Sequence, residues 1–169
     1  DDFILYRIHA EKYMIVANAS NIEKDYNWIV EHNVFDAKVD NQSDEYSLLA
    51  IQGPKAIEAM QSLYQGDLND IEFYHFAIAS FAGCEEVIIS GTGYTGSGGL
   101  EIYFKNQHAE KIWNAVMEAG KAYNIKPAGL AARDTLRLEM GLCLYGNDID
   151  ATTSPIEAKL GWITKFTKD

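Results

Sequence analysis

The chain has 169 residues, 47% apolar and 23% charged, with ten Tyr, seven Phe and three Trp; that is an ordinary globular composition, and a chain of this size buries roughly two-thirds of the surface its unfolded form exposes. The net charge of −11 excludes a broad nucleic-acid footprint, which needs clustered Lys and Arg, but leaves room for a small anion on one or two local cations. Cys84 and Cys143 stand far apart, the four His are scattered, and no apolar run nears the roughly 18 residues of a membrane helix; free thiols in a reducing, cytoplasmic setting, with no metal and no membrane, are expected.

In chain order, "FILYRIHAEKYMIVANAS" reads as two strands around a charged turn at Glu11-Lys12, a hairpin. "SNIEKDYNWIVEHN" follows as a helix, with Ser20 and Glu23 in capping-box spacing and Asn33 as its stop. "FDAKV" is a candidate strand, and the polar run "DNQSDE" (40–45) is the candidate domain boundary. "YSLLAIQG" is a buried strand, and "GPKAIEAMQSLY" places Pro54 in a first helical turn. "FYHFAIASFAG", "EEVIISGTG" and "LEIYF" read as strands. "QHAEKIWNAVMEAGKAYN" is a helix with Ala109, Ile112, Trp113, Val116, Ala119 and Tyr123 on one side. "AGLAARDTLRLEMG" is another, ending at Gly141, and "SPIEAKLG" repeats the capping pattern with Ser154 and Glu157. Strands and helices mix without a regular alternation, so the expected class is α+β with largely antiparallel sheets.

The stretch "GTGYTGSGGLEI" (91–102) contains Gly91-x-Gly93-x-x-Gly96. A dinucleotide loop needs a helix opening from the glycines to receive the pyrophosphate. Here a strand follows, and the lysine and catalytic loop of a kinase are missing downstream, so no nucleotide is expected. A glycine-rich hairpin remains, with Gly supplying positive φ in the turns. Tyr94 in that loop and Glu101, a lone acid between Leu100 and Ile102, are the polar residues to explain.

"GTGYTGSGGLEIYF", "KPAGLAARDTLRLEMGLCLYGNDID" and "TSPIEAKLGW", with "DDFILYRI", "ANASNIEKD" and "AIQGP", resemble in order and spacing the aminomethyltransferase (T-protein) family of the glycine cleavage system. The resemblance covers essentially the whole chain and departs from the family pattern at Ser97 and Leu100. It implies a central fragment of a three-domain folate-binding protein. Residues 1–42 would then be part of the second domain and 43–169 most of the first, without an N-terminal segment and a C-terminal β-rich domain. The implied activity is transfer of a methylamine carbon from a lipoylated carrier protein (H-protein) to tetrahydrofolate, a substrate.

By the same resemblance, Asp1 matches the catalytic carboxylate, where negative charge would stabilise positive charge developing in the transfer or manage a proton. Glu101 matches the folate-binding glutamate; a carboxylate accepts the adjacent N–H groups of a pterin edge. Arg133 matches the folate-binding arginine, set against pairing with Asp134 alone, and Asn18 and Tyr94 would add a polar contact and a stacking face. Arg137 and Glu139 are read as structural. A folate domain of a demethylase relative and a folate-binding module without transferase activity stay open as alternatives.

Overall fold

The computed structural model describes residues 3–167; Asp1 and Asp2 lie outside them. The chain divides into two compact units, one formed by Asp1–Ser43 with Cys143–Asp169, the other by Asp44–Leu142. The class is α+β with antiparallel sheets, as the mixed order of elements implied.

The first unit opens with a two-stranded hairpin, β1 (Phe3–His9) and β2 (Lys12–Ala17), in the register Phe3↔Ala17 to Arg7↔Tyr13. Helix α1 (Ile22–Glu31) follows. The capping box expected from Ser20 and Glu23 does not form, because a 3₁₀ turn at Ala19–Asn21 moves the helix start to Asn21, whose side chain caps nothing. Nor is 35–39 a strand. Asn33, just beyond the helix, instead clasps Ala37: its amide donates to the Ala37 carbonyl (2.6 Å) and its oxygen accepts the Ala37 N–H (3.1 Å). Local side-chain bonding of this kind competes with strand pairing. Lys24 joins α1 to the later segment, its ammonium 4.1 Å from the Tyr145 ring centroid and 3.6 Å from Asp25.

At 154–159 the opposite outcome holds. Ser154 N–H donates to Glu157 (3.0 Å) and Glu157 N–H donates to Ser154 Oγ (3.2 Å), a complete capping box. It encloses a single turn, because Lys159 adopts φ 60° and ends the segment before a helix can propagate.

The second unit is built on a four-stranded sheet of β3 (Tyr46–Gln52), β4 (Phe76–Phe81), β5 (Cys84–Ser90) and β6 (Gly99–Lys105). The spatial order is β3-β6-β5-β4, every neighbour antiparallel. Side chains alternate along a strand, so Leu100, Ile102 and Phe104 of β6 enter one face beside Val87 and Ile89 of β5, all at most 1% exposed. Helices α2 (Ala56–Met60) and α3 (Ala109–Gly120) pack together, adding Met60, Ile112 and Val116 to this core. Pro54 lies outside the helix it was expected to open, since the N-cap is Lys55. Trp113, expected on the packed side of α3, is 42% exposed; Ile112 and Val116 already fill the sheet-facing stripe. Helix α4 (Leu130–Glu139) closes the unit.

Candidate functional site

The glycine-rich segment joins β5 to β6 as a hairpin, with Ile88↔Tyr103, Ile89↔Ile102 and Ser90↔Glu101 in register. Its glycines serve two purposes. Gly98 and Gly99 carry positive φ, as hairpin chemistry requires. Gly91 and Gly93 do not, and there the reason is space: a Cβ on Gly91 would strike the Glu72 carbonyl, and one on Gly93 would land on the Gln52 carboxamide. The loop is therefore packed on its own protein, and close packing joins turn conformation in explaining the glycines.

Gln52, the last residue of β3, holds the loop. Its amide donates to the carbonyls of Thr92 (3.1 Å) and Leu100 (3.0 Å), and its oxygen accepts the Thr95 hydroxyl (3.1 Å). A single side chain thus ties the start and middle of the loop to β6. Sequence reasoning passed over Gln52; the signal available was a polar residue closing an apolar strand directly before Gly-Pro.

Glu101 sits on the sheet face opposite the Leu100/Ile102 core, between Ala50 of β3 and Ser90 of β5. It is half-buried. Oε2 accepts the Thr92 hydroxyl at 2.5 Å and lies 3.4 Å from the Tyr103 hydroxyl. Among the described residues, Oε1 takes no hydrogen bond. A carboxylate held by one oxygen and open at the other can accept donors from a ligand.

Tyr94 and Arg133 come together: the guanidinium carbon lies 4.7 Å from the Tyr94 ring centroid, a cation–π contact. Arg133 is exposed on α4 and leaves Asp134 to another partner. Asp134 Oδ1 accepts Nε (2.8 Å) and Nη2 (2.7 Å) of Arg137, whose Nη1 donates to the Leu142 carbonyl (3.1 Å). Arg137, only 3% exposed, is the structural arginine of the helix, and Arg133 is not drawn into that pairing. Asn18 belongs to the other unit, where its carbonyl accepts Asn21 N–H; Asp1 is outside the described residues. The depression lined by Pro54, Ile57, Glu58, Gln61 and Asn69 shares no residue with this cluster. Among the described residues no group of His, Cys, Asp or Glu could hold a metal, and no helix is long and apolar enough to cross a membrane.

The candidate site is thus a glycine-loop hairpin on an antiparallel sheet, carrying one tethered acid and an aromatic–arginine pair. The family model for the GCVT N-terminal domain matches residues 1–168, and the chain belongs to that family. It is 66% identical over 169 residues to an aminomethyltransferase of Flavobacterium psychrophilum and 64% identical to one of Porphyromonas gingivalis, covering all of this chain and 47% of each relative. The chain thus spans about half the length of the curated relatives it matches. Its fold is similar to the crystal structure of glycine cleavage system aminomethyltransferase T from Bartonella henselae, with a TM-score of 0.81 at 34% identity over 96% of this chain and 42% of that one. A heterotetrameric sarcosine oxidase from Corynebacterium shares the fold more distantly, with a TM-score of 0.59 at 14% identity over 75% of this chain and 64% of that one.

Proposed function

We propose that this chain forms the folate-binding part of an aminomethyltransferase of glycine cleavage. The observation that carries the reading is Glu101: an acid inside an apolar strand, tethered through Oε2 and open at Oε1. The 2-amino and N3 edge of a pterin presents adjacent donors that such a carboxylate accepts. Arg133 supplies a planar fork for a carbonyl or carboxylate of the same ligand, and Tyr94 offers ring surface and steadies the guanidinium. Asn18 adds a polar contact in this proposal, and Asp1 the catalytic carboxylate.

The reaction begins from an aminomethyl group on the sulfur of a lipoylated carrier protein. N5 and N10 of tetrahydrofolate each form a bond to its carbon; the carbon–sulfur and carbon–nitrogen bonds break. The two protons lost from N5 and N10 pass to the departing thiol and amine. The products are 5,10-methylenetetrahydrofolate, ammonia and the dihydrolipoyl carrier, with no change of oxidation level at carbon. Fixing the pterin supplies much of the rate, and a carboxylate at Asp1 stabilises the cationic transition state.

The test is a tetrahydrofolate titration of the full-length gene product. Glu101→Gln preserves shape but turns an amide donor toward the pterin's donors. Affinity should fall about ten- to a hundredfold, the usual cost of losing a charge-assisted hydrogen bond. ATP and NAD should show no saturable binding. Unchanged folate affinity would remove Glu101 from the site. Formation of methylenetetrahydrofolate from the aminomethylated carrier then separates a transferase from a binding module.

A further inference from the structure

A glutamate bound to a ligand by one open oxygen must first be aimed, and β6 itself offers only the long contact from the Tyr103 hydroxyl, 3.4 Å from Oε2. Three side-chain torsions lie between its Cα and its carboxylate. Thr92 supplies what the strand lacks. It stands two residues past Ser90, the cross-strand partner of Glu101, and is 4% exposed while Ser90 is fully buried. Thr92 Oγ1 lies 2.5 Å from Glu101 Oε2 and 3.1 Å from Ser90 Oγ. A hydroxyl has one proton, and an ionised carboxylate is the stronger acceptor. Thr92 therefore donates to Glu101. The Thr92 carbonyl is in turn held by the Gln52 amide at 3.1 Å, so the donor is itself fixed to β3.

The geometry points to Thr92 as a positioning residue for the folate site: its hydroxyl occupies Oε2 and turns Oε1 toward the ligand. At 4% exposure Thr92 acts through Glu101 and not by touching the ligand. The inference rests on the assignment of Glu101 as the pterin acceptor. It adds a residue whose side chain sorts the two carboxylate oxygens into one tethered and one presented.

The experiment is a tetrahydrofolate titration of the full-length gene product carrying Thr92→Val, Thr92→Ser, Glu101→Ala, or Thr92→Val with Glu101→Ala, beside thermal unfolding of each. Thr92→Val should weaken binding about tenfold, and Thr92→Ser should stay within about twofold of the unmodified protein. With Glu101→Ala in place, Thr92→Val should change affinity no further, the mark of two residues acting as one. Should valine disturb folding, Thr92→Ser against Thr92→Ala gives the same comparison across one hydroxyl. Equal affinity with and without the hydroxyl overturns the inference, as does an equal loss in both Glu101 backgrounds, which would mean a general effect on the loop. If Glu101→Ala binds folate as well as the unmodified protein, the Glu101 assignment is the part that fails, and the role of Thr92 falls with it.

Discussion

Close packing of the loop sets what single residues contribute. Gly93→Ala should displace the Gln52 amide and break its bonds to Thr92, Leu100 and Thr95. Stranding half-buried carbonyls costs about 1–3 kcal/mol, which urea unfolding would register; a loss under 0.3 kcal/mol would show that the carboxamide relocates freely. Away from the site, the Ser154 side chain, and then its backbone N–H, hold the Glu157 carboxyl below the usual range. Bonds of Asn69 N–H and then its side-chain amide do the same for Asp67, and the Thr152 hydroxyl and then its N–H for Asp150. All three pKa values are depressed, so their stabilising effect is present above the ordinary carboxylate range of about pH 4 and is lost as pH falls through the folded values. Ser154→Ala should move the Glu157 titration, followed by carboxyl NMR, back up toward that range. An unmoved titration would mean that the hydroxyl has no part in it.

The β4–β5 hairpin shows what an element tolerates. Ala82 (φ 53°) and Gly83 (φ 67°) form its two-residue turn between the paired Phe81 and Cys84. Left-handed backbone at both positions is the geometry that Asn-Gly favours. Ala82→Asn should raise stability by about 0.5–1 kcal/mol, seen as a higher unfolding midpoint; a lower one would show that the packing of Ala82 outweighs its backbone strain. On α4, Asp134→Ala removes the carboxylate oxygen that accepts both Nε and Nη2 of the buried Arg137. Asp134 is itself half-exposed, so a loss of about 1–3 kcal/mol is expected, and no measurable loss would show that other partners hold the arginine. These elements also mark how much of the structure was legible in the sequence. The strands from β3 to β6 and helix α3 follow from alternation and from the stripe of Ile112 and Val116, signals that burial enforces. Capping patterns are weaker guides: Ser20/Glu23 was overridden by a 3₁₀ turn, and Ser154/Glu157 closes a turn that Lys159 stops. At the site, Glu101 stood out as an acid in an apolar strand. Gln52 and Thr92 did not, because their importance lies in contacts to residues 40 and 9 positions away.

At the scale of the molecule, stability is unevenly placed. Tyr6 apart, every buried apolar residue among those described lies between Ile51 and Val116. Slow-exchanging amides report core elements, so hydrogen exchange should leave β3, β5, β6 and α3 protected longest and 143–167 among the first to exchange. Strong protection in 143–167 would reveal a stabilising contribution that burial does not. The 169-residue chain alone, covering 47% of its relatives' length, is expected to turn over at under about 1% of the rate of the full-length protein, since a misplacement of about 1 Å already costs about a hundredfold. Methylenetetrahydrofolate formation approaching the full-length rate would show that the remaining half is dispensable for chemistry.

The crowded loop has a consequence for mutational tolerance. At Gly91, Gly93, Gly96 and Gly99 a Cβ meets atoms already in place, whereas nothing lies within 4 Å of the Cβ position at Gly98 and only its φ of +74° is restrictive. A library randomised across 91–99 and selected for folding should therefore return glycine at the four crowded sites and admit asparagine or aspartate at Gly98, the side chains that accept left-handed backbone most readily. The same nine residues then hold two kinds of constraint, one steric and one conformational, and sequencing the survivors would tell them apart position by position.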